Sequence, residues 1–327
     1  MARAGLAVAD NFCAALSAGL LPETPSLIAV GLHSLCSNKS QIDDPALAPN
    51  QNVTVDDFRC FVDAMLESGY TAVSPIQIDA GLQPGGKYVM VTFDDGYFNN
   101  VLALDVLEKY EVPATFFISS NNVLEHKAFW WDVLNRELCK AGASAHARNA
   151  EIRKVKALAT ENIDEYLHGH FGKAAFNPQG DRDRPFTPSE LAAFARHPWV
   201  HLGNHTGDHA ILTHCSPQKL AQQIQSCQEA LTKIAGYAPI SIAYPNGNHS
   251  PAVVQAAQSA GLRVGVTVQP RRNPLPLGSA STLMTLGRFY CRGGMDPRVE
   301  LRKFRAGFIP SNLIKSVMRS SWPGGPG

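Results

Sequence analysis

Short apolar runs rich in β-branched and aromatic residues recur along the chain at Leu27 to Leu32, Tyr88 to Phe93, Ala114 to Ile118, Val200 to Gly203, Ile240 to Tyr244 and Arg263 to Val268. Because the runs are continuous rather than alternating, they predict strands buried on both faces, as in a parallel sheet. Between them the apolar period lengthens to that of a helix. Thr54 with Asp57 opens one helix, which carries Phe58, Phe61, Met65 and Leu66 on or near one face and meets Gly69 past its end. Thr187, Pro188 and Glu190 make a capping box with proline at the first helical position. Ser216-Pro217 starts a helix striped by Leu220, Ile224, Cys227, Leu231 and Ile234 and ended by Gly236; Ser250-Pro251 starts another that runs to Gly261. Strands alternating with helices predict an α/β fold, a parallel sheet or barrel with helices outside, whose chemistry gathers at the C-terminal ends of the strands.

Two stretches break this rhythm. From Ser119 to Pro185 no strand pattern is visible, and the segment reads as a mostly helical insertion with residues 177–185 as its loop-like exit. The opening MARAGLAVADNFCAALSAGLL spaces Leu6, Phe12, Leu16 and Leu20 near helical intervals, while Asp10 and Asn11 interrupt its apolar run. It therefore reads as an amphipathic helix rather than a signal peptide. The closing SSWPGGPG reads as a frayed end.

Composition narrows the function classes. In 327 residues, 29 Lys and Arg against 28 Asp and Glu leave a formal charge of +1, which removes the general electrostatic argument for nucleic acid binding. Cys13, Cys36, Cys60, Cys139, Cys215, Cys227 and Cys291 form an odd set without a C-x-x-C pair. This argues against a disulfide framework or a structural zinc knuckle, and for reduced thiols in a cytoplasmic protein. No uninterrupted apolar stretch of about 18 residues exists, so no transmembrane span is predicted.

Three motifs stand where predicted strands end. Val91-Thr92-Phe93-Asp94-Asp95-Gly96-Tyr97 places two adjacent carboxylates at a strand end. Neighbouring side chains diverge there, so one can hold a cation while the other takes a proton; the plainer alternative is a turn with a capping Asp. Gly203-Asn204-His205-Thr206-Gly207-Asp208-His209 follows the next strand but one. Asp95, His205 and His209 would make a divalent-metal set with positions left for water and substrate. Ile242-Ala243-Tyr244-Pro245-Asn246-Gly247 is a turn signal whose backbone N–H groups can face an oxyanion. In the insertion, Phe129-Trp130-Trp131-Asp132 offers indoles to stack on sugars and a carboxylate to accept their hydroxyls, or else an aromatic anchor for the insertion itself.

In this order the motifs resemble those of the polysaccharide deacetylases, carbohydrate esterase family 4, also called the NodB-homology or chitin deacetylase-like domain. TFDDG, HTGDH and AYPNG match the family's three motifs, and GLHSL at Gly31 to Leu35, VTVDDFRCFVDAMLESGYTAVS and VLEKYEVPATFFIS resemble its intervening segments, over about Leu27 to Arg288. The resemblance implies a distorted (β/α) barrel of about seven strands. It implies a catalytic domain over 27–290 with the insertion at 119–185, flanked by an N-terminal extension over 1–26 and a C-terminal one over 291–327. It assigns Asp94 as general base, Asp95, His205 and His209 as metal ligands, and the backbone N–H at Asn246 as an oxyanion donor. Tyr97, Tyr244, Pro245, Trp130, Trp131 and Asp132 fall on the substrate side.

The implied cofactor is a divalent metal, zinc first, with cobalt, manganese or nickel as substitutes. The implied reaction removes the acetyl group from an N-acetylhexosamine of a glycan, glycolipid or lipid-linked saccharide, which allows a substrate at a membrane surface. O-acetyl ester hydrolysis and a catalytically inactive carbohydrate- or metal-binding homologue are the alternatives. The chain departs from the family at two points. Leu286-Gly287-Arg288 stands where a late L-x-H motif supplies the general acid, and Ala243 stands in place of the third motif's Arg. Three readings follow: His33 donates the proton, Arg288 replaces the missing Arg, or catalysis has been lost.

Overall fold

The computed structural model describes residues 23–42, 44, 53–291, 293 and 296–306. The amphipathic helix expected at the N-terminus and the SSWPGGPG tail lie outside the described residues.

Seven parallel strands form the centre: β1 (Ser26–Leu32), β2 (Lys87–Phe93), β3 (Ala114–Ile118), β4 (Val200–Asn204), β5 (Ser241–Ala243), β6 (Val264–Val266) and β7 (Arg288–Tyr290). Each of the first five pairs with the next in chain order. Val266 then bridges to Leu286, just ahead of β7, and β7 pairs with Ala29, Val30 and Gly31 of β1. The ladder thus returns to its first strand, and the sheet is the distorted seven-stranded barrel expected. Six of its strands fall on the apolar runs; β7 carries no such run. The short pairs Leu35–Cys36 with Val53–Thr54, Thr71–Ala72 beside β2, and Asn273–Pro274 antiparallel to β1 are further additions.

The continuous apolarity has a direct cause: successive residues of one strand bury into different layers. Ile28, Val30, Val89, Val91, Phe93, Phe116 and Ile118 pack outward against the helices. Leu27, Ala29, Met90, Phe117, Ala243, Val264, Val266 and Leu286, drawn from strands around the ring, fill its interior. The helices are α1 (Val55–Glu67), α2 (Pro75–Ala80), α3 (Leu104–Tyr110), α4 (Ser120–Glu125), α5 (Trp130–Lys140), α6 (Ala145–Lys156), α7 (Thr160–Phe171), α8 (Pro188–Phe194), α9 (Pro217–Ala235), α10 (Pro251–Ser259) and α11 (Pro297–Arg305), beside one further short turn at Ala280–Leu283. Capping boxes start α1 at Thr54 and α8 at Thr187, and left-handed Gly236 ends α9. Helices α5, α6 and α7 share a separate small core of Val133, Leu134, Val155, Ile163, Leu167 and Phe176, so the insertion packs on itself beside the barrel mouth.

No described helix is long and apolar enough to cross a membrane. The described cysteines, Cys36, Cys60, Cys139, Cys215, Cys227 and Cys291, are free thiols.

Glu23, just ahead of β1, accepts hydrogen bonds from Arg305 at 2.9 and 3.1 Å and from Tyr70, and pairs with Lys87 at 2.9 Å. Burial pushes its carboxyl up, but the bonds from Arg305, Tyr70 and Lys87 outweigh that and hold it at about 2 instead of 4.5. A depressed folded-state pKa contributes stability above the ordinary carboxylate value, which is lost as pH falls from 4.5 toward 2. Thermal melts of wild type and Glu23→Gln should therefore differ by roughly a few degrees at neutral pH and converge in acid. A gap of equal size at both ends would show that the network stabilises by packing alone.

Candidate active site

The site is built where β2, β4, β5 and β7 end at one mouth of the barrel. Asp94 still belongs to the ladder, its N–H donating to the Leu32 carbonyl at 2.9 Å. The chain then turns through left-handed Asp95 (φ 76°) and Gly96 (φ 95°). A Cβ at Gly96 would stand 3.1 Å from the Ile118 side chain, so this sharp turn against β3 suits glycine. The turn sends the two carboxylates to different partners, as their adjacency suggested.

Asp94 faces β7. Arg288 grips it with two parallel bonds, Nη1 to Oδ1 at 2.7 Å and Nη2 to Oδ2 at 2.8 Å, and the Tyr290 hydroxyl donates to Oδ2 at 2.9 Å. The guanidinium is fully buried and also donates to Thr92 Oγ1 and the Thr267 carbonyl, both at 3.1 Å. Burial pushes the Asp94 carboxyl up, but Arg288, with His205 and His33, holds it well below the usual carboxylate range. Arg288 is thus the buried counter-charge of Asp94. Tyr290, which the motifs did not mark, lies two residues further along the same strand and so on the same face. Its ring occupies the space a Cβ at Gly31 would need, 2.7 Å away, and stacks on His33 at 5.3 Å and 20°.

Asp95 faces the loop after β4. That loop is locked: Asn204 Oδ1 accepts from Thr206 N–H at 2.9 Å, Thr206 Oγ1 from Ala210 N–H at 2.9 Å, and Asp208 from Asn121 and Gln223 at 2.6 and 2.5 Å. Thr206 and His209 adopt left-handed φ, so the imidazoles converge through a tight loop rather than a helix. His205 Nε2 and His209 Nε2 each lie 3.5 Å from Asp95 Oδ1. Burial lowers the His205 pKa less than the Asp95 hydrogen bond and the two carboxylates raise it; burial and the His205 charge together take His209 down to about 3. His205 Nδ1–H donates to the Ala243 carbonyl at 2.7 Å, which turns Nε2 toward Asp95.

These three residues are the one group of potential metal ligands among the described residues, with their ligand atoms within 4.8 Å of one another. Two donors each about 2.1 Å from one tetrahedral ion sit about 3.4 Å apart. The observed 3.5 Å separations fit that arrangement, and a carboxylate with two imidazoles suits zinc.

The substrate-side residues divide. Trp131 meets the His209 ring edge to face at 4.7 Å, and Trp130 lies 5.4 Å from Trp131. Both indoles, with Phe129, Asn121, Asp208 and His209, line a cavity of about 180 Å³ between insertion and barrel. Asp132 does not point into open space as a hydroxyl acceptor. It is 5% exposed, and its carboxylate receives the Tyr97 hydroxyl at 2.5 Å, while Trp131 Nε1–H donates to that hydroxyl at 2.7 Å. Buried Tyr97 and Asp132 therefore hold Trp131 in place instead of meeting a sugar. Tyr244 needs the same correction: its side chain is fully buried among Leu212, Leu220, Ile224, Val253 and Met284, in the outer layer beneath α9 and α10. The turn continues through buried Pro245 to Asn246, left-handed at φ 60°, whose Oδ1 accepts a hydrogen bond from Lys156 of α6. Lys156, at the end of a helix in a charged run, carried no motif signal.

A family model described as polysaccharide deacetylase matches residues 81–265. Over 260 residues the chain is 21% identical to a Bacillus subtilis protein, YxkH, assigned to the polysaccharide deacetylases by name; the match covers 78% of this chain and 69% of that protein. The fold is similar to that of the Streptococcus pyogenes deacetylase PplD, at a TM-score of 0.59 and 18% identity, covering 86% of this chain and 99% of that one. It is also similar to a de-N-acetylase from Aggregatibacter actinomycetemcomitans, at a TM-score of 0.54 and 14% identity, covering 82% and 96%.

Proposed function

The chain belongs to the polysaccharide deacetylase family, and from that premise we propose a metal-dependent hydrolase that removes the acetyl group from an N-acetylhexosamine in a glycan, glycolipid or lipid-linked saccharide. The observation that carries the reading is the division of labour between Asp94 and Asp95: one is gripped by Arg288 and Tyr290, the other shared by two imidazoles.

A divalent ion held by Asp95, His205 and His209 would supply an acidified water and a polarised carbonyl. Asp94, ionised and fixed in direction, takes the proton of the attacking water. Arg288 and Tyr290 hold its carboxylate in that direction. The N–H at Asn246 faces the acetyl oxygen, and Trp131, braced by Tyr97, forms a wall against the sugar. The leaving amine must gain a proton. Arg288 occupies the late-motif position but is no donor, since its buried guanidinium has a raised pKa and is committed to Asp94, Thr92 and Thr267. We assign that proton to His33, the imidazole stacked on Tyr290 beside Asp94.

The test is acetate release from a panel of N-acetylated and O-acetylated sugars, using metal-stripped protein and the same protein reloaded with zinc. Release from N-acetylated members only after reloading is expected. Release from esters alone would make the protein an O-acetyl esterase, and none at full metal occupancy would make it a binding homologue.

A further inference from the structure

The last turn of α6 carries Arg153, Lys154 and Lys156. Cations at a helix C-terminus usually sit in water and complement the macrodipole. Lys154 does so, pairing with Glu151 on the surface. Lys156 behaves differently. It leaves the insertion, half-buried, and donates to Asn246 Oδ1 in the turn after β5. From there its charge acts on His209, and Asp95 acts on it in return, while burial lowers its own pKa.

The cations of the site are therefore held in two ways. The charge of Arg288 is matched by the carboxylate it grips. The ammonium of Lys156 rests on a neutral amide, which orients it without cancelling its charge. The two also reach the site from different elements, Arg288 from β7 and Lys156 from the end of α6 by way of the turn after β5. A fixed, partly desolvated cation with a neutral anchor is the arrangement that stabilises negative charge appearing during a reaction.

We propose that Lys156 is a catalytic residue of the deacetylation, its ammonium sharing the negative charge that builds on the acetyl oxygen as water adds. In that step the water oxygen bonds to the carbonyl carbon, the C=O π pair moves to oxygen, and the water's proton passes to Asp94. On collapse the pair returns, the C–N bond breaks, and the nitrogen takes a proton from His33. Lys156 keeps its protons throughout. The insertion thus supplies part of the reaction centre in addition to its aromatic wall.

The proposal rests on the deacetylase reading, and three variants separate it from a simple tie between insertion and barrel. Lys156→Gln keeps a donor to Asn246 without charge, Lys156→Arg keeps both, and Lys156→Met removes both. With zinc-loaded protein and an N-acetylated oligosaccharide, Gln and Met should lower kcat by about 10²- to 10³-fold with little change in KM. Arg should recover most of the loss. Zinc affinity, read by chelator competition, should be undiminished in all three, because the change removes a nearby cation or leaves it. Wild-type kcat in Lys156→Gln, or loss of zinc binding in Lys156→Met, would reduce Lys156 to a structural tie. A wild type that releases no acetate would remove the deacetylase reading and this proposal together, whereas an active wild type with an equally active Lys156→Gln removes only the proposal.

Discussion

Asp94→Asn should bind zinc with wild-type stoichiometry and lose about 10²- to 10⁴-fold in kcat, the range a positioned general base contributes. The amide is nearly the same size, and the proposed ligands Asp95, His205 and His209 lie on a different partner set, so metal retention isolates the proton-transfer role. The loss is expected to fall on kcat because the proposed role of the carboxylate is to act on the attacking water, with no part in gripping the sugar. A base held well below the usual carboxylate range stays ionised at any working pH; its strength is traded for fixed direction and permanent availability. Acetate release and metal content measured on the same preparation check this. More than about a tenth of the wild-type rate in a fully metallated variant would assign the proton transfer elsewhere.

Arg288→Met should be costly in a different way. The guanidinium is fully buried and makes paired bonds to an equally buried carboxylate. Removing one partner of such a pair leaves an uncompensated charge, a loss of about 3–5 kcal/mol. At this chain length that is a fall in Tm of roughly four to seven degrees. Arg288→Lys should recover little, since a point charge cannot reproduce the two parallel bonds. Pairing Arg288→Met with Asp94→Asn should restore part of the melting temperature, because the second change removes the stranded charge. Arg288→Met melting with the wild type would show that Asp94 finds other compensation.

The fold was legible wherever burial is apolar. The six strands written in Val, Ile, Leu and Phe stand out because both of their faces are covered, and the helices announce themselves through caps at Thr54, Thr187, Ser216 and Ser250. β7 escaped because its first residue is arginine, which a hydrophobic pattern reads as surface; the carboxylate that matches its buried charge, Asp94, lies 194 positions away. Side-chain direction was the second thing hidden. The motif around Tyr244 lies at the site while its ring points into the outer layer, and Asp132 is occupied by a tyrosine from a different segment. The third was the local backbone: Asp95, Thr206, His209 and Asn246 all take positive φ without being glycine. Such conformations are set by surrounding packing and hydrogen bonds, and residue type gives little sign of them.

The strand that shuts the ring is also the last of the seven to leave the ribosome. Asp94, Asp95, His205 and His209 emerge well before residue 288, at a stage when β1 and β6 still present unpaired edges. A nascent chain at that point carries Asp94, Asp95, His205 and His209, yet lacks the guanidinium that settles the charge of Asp94. Shutting the ring and arming the carboxylate are one event, because β7 brings the hydrogen-bonding edge and the counter-charge together. A protease cut that frees the segment after Val268 would consequently open the barrel and disarm Asp94 at once, although every residue of the three motifs would survive it.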